Sequence, residues 1–451
     1  MTELLSIILA AGEGTRMRSA TPKVLHQVGG LSIVGHVVNA AMAAGSSRVA
    51  VVTGPGHDAV RQMVNGFAPD VQFFEQTERK GTGHAASMAR PEFEGFEGYI
   101  AVVYGDHPLL RPENFRGVLD RLEAGWDAAI LGFEPPDTLT YGRLITEGER
   151  LLAIREHKDA TPEERQIGLC NACILTFRAE VFRSLIDRLE PNNAAGEYYV
   201  TDLVELANEA GYKVSYAVAP EVDVMGVNDR AQLARAEAQF QELRRDDFMR
   251  AGVTLKDPST VYFSYDTEIG RDVTIFPNVV FGPGVKLADG VEIRAFCDIE
   301  NTSIGSGASI GPFARMRGGA DIGPNVHVGN FVEVKNSVIH EGVKAGHLSY
   351  LGDSEVGART NIGAGTITCN YDGVNKSKTS IGADAFIGSN SSLVAPVSIG
   401  DGAYIASGSV ITHNVEPDAL AIGRARQENK LGYAPKLKAR AEAIKRARSG
   451  K

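Results

Sequence analysis

The stretch IGADAFIGSNSSLVAPVSIGDGAYIASGSVI, residues 381–411, places a bulky aliphatic residue at every sixth position. These positions are Ile381, Ile387, Leu393, Ile399, Ile405 and Ile411. An α-helix repeats every ~3.6 residues and a β-strand every ~2, so this period fits neither a single helix nor a single strand. Hexapeptide repeats are typical of a β-helix, in which each apolar side chain points inward and stacks on its equivalent in the next coil. The stretch therefore predicts a β-helix.

The same period begins much earlier, after Gly252. Its earlier positions are Ile269, Ile275, Phe281, Leu287, Ile293 and Ile299, then, after one five-residue step, Ile304, Ile310, Met316, Ile322, Val328 and Val334, and the phase returns at Val356 and Ile362. The rhythm fails between Thr368 and Ser380, in TCNYDGVNKSKTS, and this segment is expected to loop out of the coils. We therefore predict a β-helix domain over residues 252–451.

The first half of the chain has a different pattern, in which apolar β-rich runs alternate with helix-like segments. The runs are SIILA, RVAVVTG, VQFFEQ, YIAVVYGD, DAAILGF and LCNACILTF. This alternation predicts an α/β domain over residues 1–230, built on an open sheet of mostly parallel strands. Ligands of such sheets bind beyond the carboxyl ends of the strands. The turn after Ala10 and the pair Gly105 and Asp106 both fall there.

The segment LAAGEGTRM, residues 9–17, follows the first of these runs and is glycine-rich. It lacks the Gly-Lys-Ser/Thr ending of a Walker A loop, and Met17 fills the place of the third glycine of a dinucleotide fingerprint. Backbone N–H groups at the turn, with Arg16 and Lys23 close behind, suit a polyphosphate. An ordinary glycine turn between strand and helix is the alternative.

A polar segment, residues 231–251, separates the two patterns. Leu233, Ala236, Phe240 and Leu243 recur at helical spacing, and Asp229 with Gln232 resembles a capping pair. This predicts one helix that connects the two domains.

Composition and charge limit the class of protein. The 451 residues contain four cysteines, which form no disulfide framework and fit a reducing compartment, so a cytoplasmic location without a membrane span is expected. The net charge of -10 argues against general nucleic-acid binding. From Arg424 to Lys451, however, ten Lys/Arg face two Glu. This tail is either a solvated, partly disordered segment or helps to hold an anionic ligand.

Cys170 and Cys173 form a CxxC motif within a run that predicts a buried strand. Residues three apart on a regular strand point to opposite faces. The two sulfurs are therefore expected to be part of the core and not to share a metal.

Polar residues on the predicted β-helix are informative, because a narrow coil has little interior for a ligand. Those that crowd into one region are Arg315, Arg317, Lys335, Lys344, His347 and Tyr350. A lone histidine most often has a structural role. His347, however, lies beside several cations, where an anionic substrate and a general base would both fit.

Together the motifs resemble one family. They are LAAGEGTRM with Lys23, QTERKGTGHA, YGDHP, EHKDAT, GEYYVTD, KAGHLSYLGD and NIGAGTITCNYDG, in this order. The chain is similar over essentially its whole length to the bacterial bifunctional enzymes that are both N-acetylglucosamine-1-phosphate uridyltransferase and glucosamine-1-phosphate N-acetyltransferase. The resemblance implies a Rossmann-like nucleotidyltransferase domain, a left-handed β-helix, a homotrimer, and a supply of UDP-N-acetylglucosamine for peptidoglycan and lipopolysaccharide.

In the first domain, the resemblance implies a site for UTP and N-acetylglucosamine 1-phosphate. Arg16 and Lys23 match the catalytic phosphate-binding cations, Asp106 and Asn228 match the Mg²⁺ ligands, and Gln76 and Gly81 match the uracil contacts. Read without the resemblance, Asn228 would more often be a helix-entry residue. The other nucleotide-sugar contacts implied are Leu9, Ala10, Ala11, Gly12, Thr82, Tyr104, Gly105, Gly142, Glu156 and Asn171.

In the β-helix, the resemblance implies acetyl transfer from acetyl-CoA, with His347 as the base and Glu333 as a residue that orients it. The sugar-phosphate contacts implied are Arg317, Lys335, Tyr350 and Asn361. The acetyl-CoA contacts implied are Ala364, Asn370, Tyr371, Ser389, Ser407 and Arg424. The sequence departs from a family member at Ser407, where that protein has alanine, and at Gly318, where it has proline. A backbone contact at position 407 would survive the first change.

Two other functions are compatible with parts of this pattern. A single-activity nucleotidyltransferase, such as an ADP-glucose pyrophosphorylase, would use its β-helix only for oligomerisation or regulation, and would not need KAGHLSYLGD. A non-enzymatic scaffold would have a degenerate first domain, but GEGTR, Lys23 and Asp106 are intact.

Overall fold

The computed structural model describes residues 2–138 and 140–449. The chain folds as two compact units. The first comprises the chain up to Ala251 together with Tyr262–Thr267, and the second comprises Gly252–Val261 and the chain from Glu268 onward. Residue 1 of the predicted first domain, and the last two residues of the predicted tail, lie outside the described residues.

The first unit contains eleven strands and eight helices in its described part. The strands are β1 Leu4–Ala10, β2 Gln27–Val28, β3 Leu31–Ser32, β4 Arg48–Thr53, β5 Gln72–Glu75, β6 Tyr99–Tyr104, β7 Ala128–Phe133, β8 Arg143–Glu147, β9 Arg150–Arg155, β10 Cys170–Arg178 and β11 Val214–Val218. The helices are α1 Ile33–Ala43, α2 Asp58–Asn65, α3 Thr82–Met88, α4 Arg90–Phe93, α5 Pro112–Glu123, α6 Ala179–Leu185, α7 Leu203–Glu209 and α8 Arg230–Arg250. Short 3₁₀ turns are found at Thr15–Met17, Lys23–Leu25, Glu164–Gln166, Ile186–Arg188, Val200–Asp202 and Glu221–Val224.

Nine of these strands form one sheet in the order β5-β4-β1-β6-β10-β7-β11-β9-β8. Strands β4, β1 and β6 run parallel to one another, as predicted, whereas β10 runs antiparallel between β6 and β7. Helices cover both faces of the sheet. Val34 and Phe115 pack with Ile8 on one face, and Phe182 packs with Ile7 on the other.

The six predicted strands are all present, and the prediction missed the short hairpin of β2 and β3, the hairpin of β8 and β9, and strand β11. The prediction that Cys170 and Cys173 point to opposite faces is wrong. Both are fully buried in the same core cluster, because the pairing of β10 with β7 shifts register between Asn171 and Leu175. A bulge of this kind inserts an extra residue and breaks the alternation of side chains. Their assignment to the core is confirmed.

Helix α8 begins at the predicted capping pair, since the Asp229 carboxylate accepts a hydrogen bond from the Gln232 N–H (2.8 Å). Its buried residues include Phe240 and Gln241. The Gln241 side-chain amide donates to the Phe263 carbonyl and accepts from the Phe263 N–H, each at 2.7 Å. The contacts of α8 thus group it with the first unit. The boundaries 1–230, 231–251 and 252–451 stay a prediction about how the chain divides its activities.

The second unit is a coil with three parallel sheets, called here faces 1, 2 and 3. The strands of face 1 are Thr254–Leu255, Thr274–Ile275, Glu292–Ile293, Ser309–Ile310, His327–Asn330, Lys344–His347, Asn361–Ile362, Phe386–Ile387, Tyr404–Ile405 and Leu420–Ala421. The strands of face 2 are Val261–Tyr262, Val279–Phe281, Asp298–Ile299, Arg315–Arg317, Glu333–Lys335, Tyr350–Gly352, Ile367–Cys369, Ser392–Val394 and Val410–Ile411. The strands of face 3 are Glu268–Ile269, Val285–Leu287, Thr302–Ile304, Ala320–Ile322, Val338–Ile339, Ser354–Val356, Thr379–Ile381 and Val397–Ile399.

The residues of the six-residue period fill the interior of this coil. Ile275, Ile293, Ile310 and Val328 lie opposite one another on successive coils of face 1 and are buried. The β-helix prediction is therefore confirmed. The segment between Cys369 and Thr379 leaves the coils as predicted, and Val374 at its tip is 84% exposed.

The basic tail contains one further helix, α9 Tyr433–Arg448, and every described residue from Gly423 to Ser449 is exposed. The segment is thus exposed and largely helical in this single chain, and whether it helps to hold an anionic ligand stays a prediction. In the part of the chain that the structure describes, no helix combines the length and apolar character needed to cross a bilayer.

Two candidate active sites

The glycine-rich loop of residues 11–17 follows the carboxyl end of β1, beside that of β6. Nothing lies within 4 Å of where a Cβ on Gly12 would be, so the turn opens to solvent there. Gly14 has a φ of 61°, and a Cβ at this position would come 2.4 Å from the Cβ of Lys23. Only glycine allows this backbone conformation and this approach together. The loop thus presses against Lys23 and directs it into the site.

Lys23 joins the two predicted metal ligands. Its Nζ donates to Asp106 Oδ2 (2.6 Å) and to Asn228 Oδ1 (3.1 Å), and Arg16 also donates to Asn228 Oδ1 (2.9 Å). Asn228 is brought there by the backbone, since the Val227 N–H donates to the Asp106 carbonyl (2.9 Å). An ammonium between two hard oxygen donors marks a place that suits a cation, and oxygen donors are those that Mg²⁺ prefers. The residues present therefore fit the metal that the resemblance implies.

The carboxylate of Asp106 contacts cationic or proton-donating groups on both oxygens. His107 Nδ1 lies 2.8 Å from Asp106 Oδ1, opposite the contact with Lys23. Burial opposes ionisation of Asp106, but Lys23 and His107 together hold its pKa well below the usual range. The group is therefore ionised at neutral pH. The sequence analysis did not identify His107 as part of the site.

A cavity of about 280 Å³ opens beside the loop. Ten of the predicted residues line it: Leu9, Ala10, Ala11, Gly12, Lys23, Gln76, Gly81, Thr82, Tyr104 and Asp106. Four residues that were not predicted also line it: Val24, Arg79, Ala85 and Glu197. Gly105 directs the chain into the cavity, since its N–H donates to the Leu9 carbonyl (2.9 Å).

The predicted uracil contacts touch each other. The Gln76 side chain, 4% exposed, donates to the Gly81 carbonyl (3.0 Å). Gly81 has a φ of 104°, and a Cβ there would come 2.6 Å from the Tyr198 carbonyl oxygen. A larger residue could not let the chain pass so close to Tyr198. The adjacent Thr82 hydroxyl accepts from the Val200 N–H (3.0 Å).

Behind this cavity, the remaining predicted contacts surround Tyr104. The Asn171 side chain hydrogen-bonds to the Tyr104 hydroxyl, and Asn171 Oδ1 is buried with no partner among the described residues. Burial and the nearby Glu156 raise the pKa of Tyr104 far above its usual range, so it stays a neutral phenol. A Cβ on Gly142 would come 3.3 Å from the Glu156 carboxylate. The orphaned Asn171 oxygen is the kind of group that a ligand hydroxyl satisfies.

A second, acidic cavity of about 650 Å³ adjoins these residues through Glu156. Burial, opposed by a hydrogen bond from Thr201 and aided by Asp202, raises the pKa of Glu156. Burial and the neighbouring Glu205 raise the pKa of Asp202 to about 6. Two carboxyl groups beside the first site thus bind protons more tightly than they would in water.

The second site lies on faces 1 and 2 of the coil. Asn330 and His347 face each other on adjacent strands, with Asn330 Oδ1 2.6 Å from His347 Nδ1. Glu333 instead accepts from Arg317 Nε (2.7 Å) and forms an ion pair with it, so the idea that Glu333 orients His347 stays a prediction. A short coil-to-coil distance allows this pairing, since Arg317 and Glu333 lie on neighbouring strands of face 2.

A group of cations surrounds this part of face 2. The Lys335 side chain contacts that of Lys376, which lowers the pKa of Lys335, and Arg317 adds to the same effect. Asp353 lies nearby, and its pKa is lowered by hydrogen bonds from Asn336 and Asn370 that outweigh its burial. Two ammonium groups in contact favour an anion between them. Lys376 belongs to the segment that leaves the coils, where no repeat position could identify it in advance.

The other predicted contacts extend along the coil from this point. Tyr350 follows Glu333 on face 2, and Asn361 follows Lys344 on face 1. Four of the predicted residues form one column on successive coils, because each lies three residues after a position of face 1 that pairs in register with the next strand. They are His347, Ala364, Ser389 and Ser407. Arg424 lies one residue beyond that register. Asn370 bonds to Asp353, and Tyr371 is 60% exposed in the loop.

The departure at Gly318 has a local conformational reason. Gly318 has a φ of 66°, which proline cannot adopt because its ring fixes φ near about -65°. Gly319 follows with a φ of 87°. The turn after Arg317 is therefore built differently from one that contains proline.

Comparison with known proteins agrees with both units. Residues 6–164 match the family model of the MobA-like NTP transferase domain, and residues 301–336 and 378–413 match the model of six bacterial transferase hexapeptide repeats. The bifunctional protein GlmU of Azorhizobium caulinodans is 52% identical over 97% of this chain and 97% of its own length. That of Jannaschia sp. is 50% identical over 99% and 98%, and that of Agrobacterium fabrum 50% over 98% and 98%.

A solved structure, of the inositol-1-phosphate CTP transferase from T. maritima, covers 54% of this chain and 97% of its own, with 15% identity and a TM-score of 0.45. The family assignment does not depend on that match. It depends on curated relatives that are about half identical from one end of the chain to the other. The chain belongs to the family of bifunctional GlmU proteins.

Proposed function

We propose that this protein makes UDP-N-acetylglucosamine by two transfers. The β-helix unit moves an acetyl group from acetyl-CoA to glucosamine 1-phosphate, and the first unit then moves a uridylyl group from UTP to the acetylated sugar phosphate. The observation that carries the proposal is the full-length similarity to proteins named bifunctional, in a chain that keeps both sets of site residues. A single-activity pyrophosphorylase is not favoured, because it would not need the residues of the second site.

In the uridylyl transfer, a phosphate oxygen of N-acetylglucosamine 1-phosphate attacks the α-phosphorus of UTP. The bond between the α-phosphorus and the bridging oxygen breaks, and pyrophosphate leaves. Such a reaction depends mostly on alignment and charge neutralisation. Arg16 and Lys23 supply positive charge at the loop, while Gln76 and Gly81 hold the base and Asn171 and Glu156 hold the sugar.

We assign the metal position to Asp106 and Asn228, which Lys23 bridges in this structure. Bound there, Mg²⁺ would neutralise charge on the phosphate oxygens. The chain itself contributes the carboxylate of Asp106, whose low pKa keeps it ionised at any pH near neutrality. Lys23 must leave this position for the metal to enter, and the ligand phosphates give its ammonium another partner.

In the acetyl transfer, the amine of glucosamine 1-phosphate attacks the thioester carbonyl carbon of acetyl-CoA. A C–N bond forms, the C–S bond breaks, and the CoA thiol leaves. His347 Nε2 takes the proton that the attacking nitrogen loses. Arg317, Lys335 and Lys376 hold the sugar phosphate, and Tyr350 and Asn361 flank them.

We propose that acetyl-CoA binds in an extended conformation along the column described above. This column comprises His347, Ala364, Ser389 and Ser407, and Arg424 follows it. Adjacent coils lie about 4.8 Å apart, so four steps from His347 span about 19 Å. A long, flexible thioester can lie along such a line with its acetyl group at His347 and its anionic end toward Arg424. Asn370 and Tyr371 border this line from the loop.

We also propose that the protein is a homotrimer. Phe296, Phe313 and Phe331 stack at ring distances of 4.8 and 5.1 Å on one corner of the coil, and Leu348 continues the row. Each is about half exposed and has a positive φ, an arrangement that bulky residues rarely adopt. This apolar stripe directly follows Asn330 and His347 in sequence, so a neighbouring copy packed on it would also cover the open second site.

The substrates and the four free cysteines suit the cytoplasm, where we place both reactions. The direct test is to incubate the protein with glucosamine 1-phosphate, acetyl-CoA, UTP and Mg²⁺ and to separate the nucleotide sugars by chromatography. UDP-N-acetylglucosamine should form only when all four are present. N-acetylglucosamine 1-phosphate should remove the need for acetyl-CoA, and failure of that rescue would contradict the order of the two transfers.

A further inference from the structure

Asn330 has no role in the two reactions as described so far, yet it is the partner of the proposed base. The strands His327–Asn330 and Lys344–His347 pair in parallel register with the two residues opposite each other. Asn330 Oδ1 lies 2.6 Å from His347 Nδ1. This leaves the other ring nitrogen, Nε2, as the one that can act on a substrate.

The backbone at this point is held from both sides. A Cβ on Gly329 would come 1.9 Å from the Gly346 carbonyl oxygen, so the two coils approach more closely than another residue type would allow. The Leu348 N–H donates to the Asn330 carbonyl (3.0 Å). The His347 carbonyl in turn accepts from the Ser349 hydroxyl (2.9 Å). With the backbone fixed, the orientation of the imidazole depends on the contact at Nδ1.

An amide oxygen can only accept a hydrogen bond, so the Nδ1 that faces it must carry the proton. The neutral imidazole then has its lone pair on Nε2, which is the form a general base requires. We propose that Asn330 is a positioning residue for acetyl transfer, which holds His347 in the Nδ1-protonated tautomer and in a fixed orientation. The inference rests on the proposed role of His347 as the base.

An amide differs here from the carboxylate that often fills this position in catalytic groups. Because it is neutral, it fixes the tautomer without stabilising the imidazolium by a full charge. The charged or titratable side chains on the two paired strands are His327 and Lys344, each three residues from the pair along its strand. The strand on the other side, Asn361–Ile362, has no such side chain.

The first test compares Asn330→Ala and His347→Ala in the full-length protein. Asn330→Ala should lower kcat for acetyl transfer about 10- to 100-fold with little change in KM, the usual cost of losing a group that orients a histidine. Because Asn330 acts through His347, adding Asn330→Ala to His347→Ala should cause no further loss. Uridylyl transfer and thermal stability, measured on the same samples, should be unchanged.

His340→Ala is the matched control. His340 Nε2 lies 3.2 Å from Glu355 Oε1, also between adjacent coils, but on face 3. Its loss should leave acetyl transfer at the wild-type rate, which separates a general effect on coil packing from an effect on the base.

The second test uses Asn330→Asp, which keeps an acceptor at Nδ1 but adds a charge. The carboxylate stabilises the imidazolium, so the fall in acetyl-transfer rate with increasing acidity should move to higher pH by about one unit. The substrate amine titrates equally in both proteins, so the difference reports on His347. A residue with only a structural role would not move this profile.

Several outcomes would overturn the proposal. They are a normal rate for Asn330→Ala, a parallel loss of both activities and of stability, an additive loss in the double variant, or an unmoved profile for Asn330→Asp. A rate above wild type for Asn330→Ala would show that the amide holds the unproductive tautomer. If His347→Ala itself kept its activity, the proposed base would fail, whereas an inactive His347→Ala with a normal Asn330→Ala would reject only this inference.

Discussion

The two sites differ in how much of their environment one chain provides. Around the loop after β1, the charged groups are already paired: Lys23 bridges Asp106 and Asn228. On the β-helix, His347 is exposed, and the ammonium groups of Lys335 and Lys376 contact each other near the carboxylate of Asp353. The first site lines a cavity of about 280 Å³, whereas the second lies on the outer surface of the coil beside the apolar stripe of Phe296, Phe313, Phe331 and Leu348. We therefore expect a single copy to suffice for uridylyl transfer and, if the proposed homotrimer forms the second site, acetyl transfer to require neighbouring copies.

Removing the second unit tests this contrast most strongly. A chain that ends after Thr267 should retain uridylyl transfer from UTP and lose acetyl transfer completely. The structure places the end point here because the Phe263 carbonyl accepts from the Gln241 side chain in α8 and the Phe263 N–H donates to it. A chain that ends at Gly252 lacks these bonds and should unfold at a lower temperature. If the longer fragment folds, as judged by circular dichroism, but does not use UTP, the first site is not complete in one unit.

Asp106→Ala should lower uridylyl transfer by about 10⁴-fold or more, because it removes the ionised ligand on which several kcal/mol of charge stabilisation depend. Acetyl transfer should be unchanged. The measurement is pyrophosphate release and CoA release by the same preparation. Equal loss of both activities in a folded variant would point to a structural role for Asp106.

His347→Ala makes the reciprocal change on the open site. Acetyl transfer should fall on the order of 10²- to 10⁴-fold, the usual contribution of a general base, with uridylyl transfer and stability unchanged. Light scattering on the same sample should show that the assembly is intact. A normal rate of CoA release would reject the catalytic assignment, and a smaller assembly would instead indicate a packing role.

The fold was largely predictable because its signals are periodic. The six-residue rhythm identified the coil, and alternating apolar runs identified β1, β4, β5, β6, β7 and β10. The predictions that the structure contradicts concern features that depend on tertiary geometry. The bulge in β10 places Cys170 and Cys173 on one face, and the alternation of residue types along the strand does not predict this bulge.

Individual residues of the candidate sites could be predicted only where they belong to a recognisable sequence motif. Ten of the predicted residues line the cavity beside the loop, whereas His107 was quoted in a motif without a role. Asn330 and the pairing of Glu333 with Arg317 were missed for a different reason. Partners on adjacent coils are about seventeen residues apart, so which side chains meet is decided by register and not by local sequence.

The bridging position of Lys23 leads to a prediction of smaller size. In the nucleotide-free protein its ammonium competes with a metal for Asp106 and Asn228, so Lys23→Ala should bind Mn²⁺, used in place of Mg²⁺, about 10-fold more tightly. Arg16→Ala is the matched control, since Arg16 contacts Asn228 but forms no bond to Asp106. Electron paramagnetic resonance titration of free Mn²⁺ gives the dissociation constants. Unchanged or weaker binding by Lys23→Ala would show that the metal does not use this position.

The smallest expected effect concerns the acidic cavity beside the first site. Burial raises the pKa of Asp202 to about 6, above its ordinary value of 3.8, whereas Asp353 on the β-helix has a lowered pKa. Because the folded protein binds this proton more tightly than the unfolded chain, ionisation destabilises the fold. Stability is lost as pH rises from about 3.8 through about 6.

Asp202→Asn removes this destabilisation. Discounted for the partial exposure of the group, the gain is about 1 kcal/mol above pH 7. For a unit of this size it should raise the melting temperature by about 2 to 4 °C at pH 7.5, and the advantage should shrink as the pH is lowered to 5. Asp246→Asn, at an exposed position on α8, is the control and should change little at either pH. Differential scanning calorimetry at the two pH values measures both. A rise in melting temperature that does not depend on pH would mean that ionisation of Asp202 does not destabilise the fold. The first site would then not differ from the second in the electrostatic cost of a buried carboxylate.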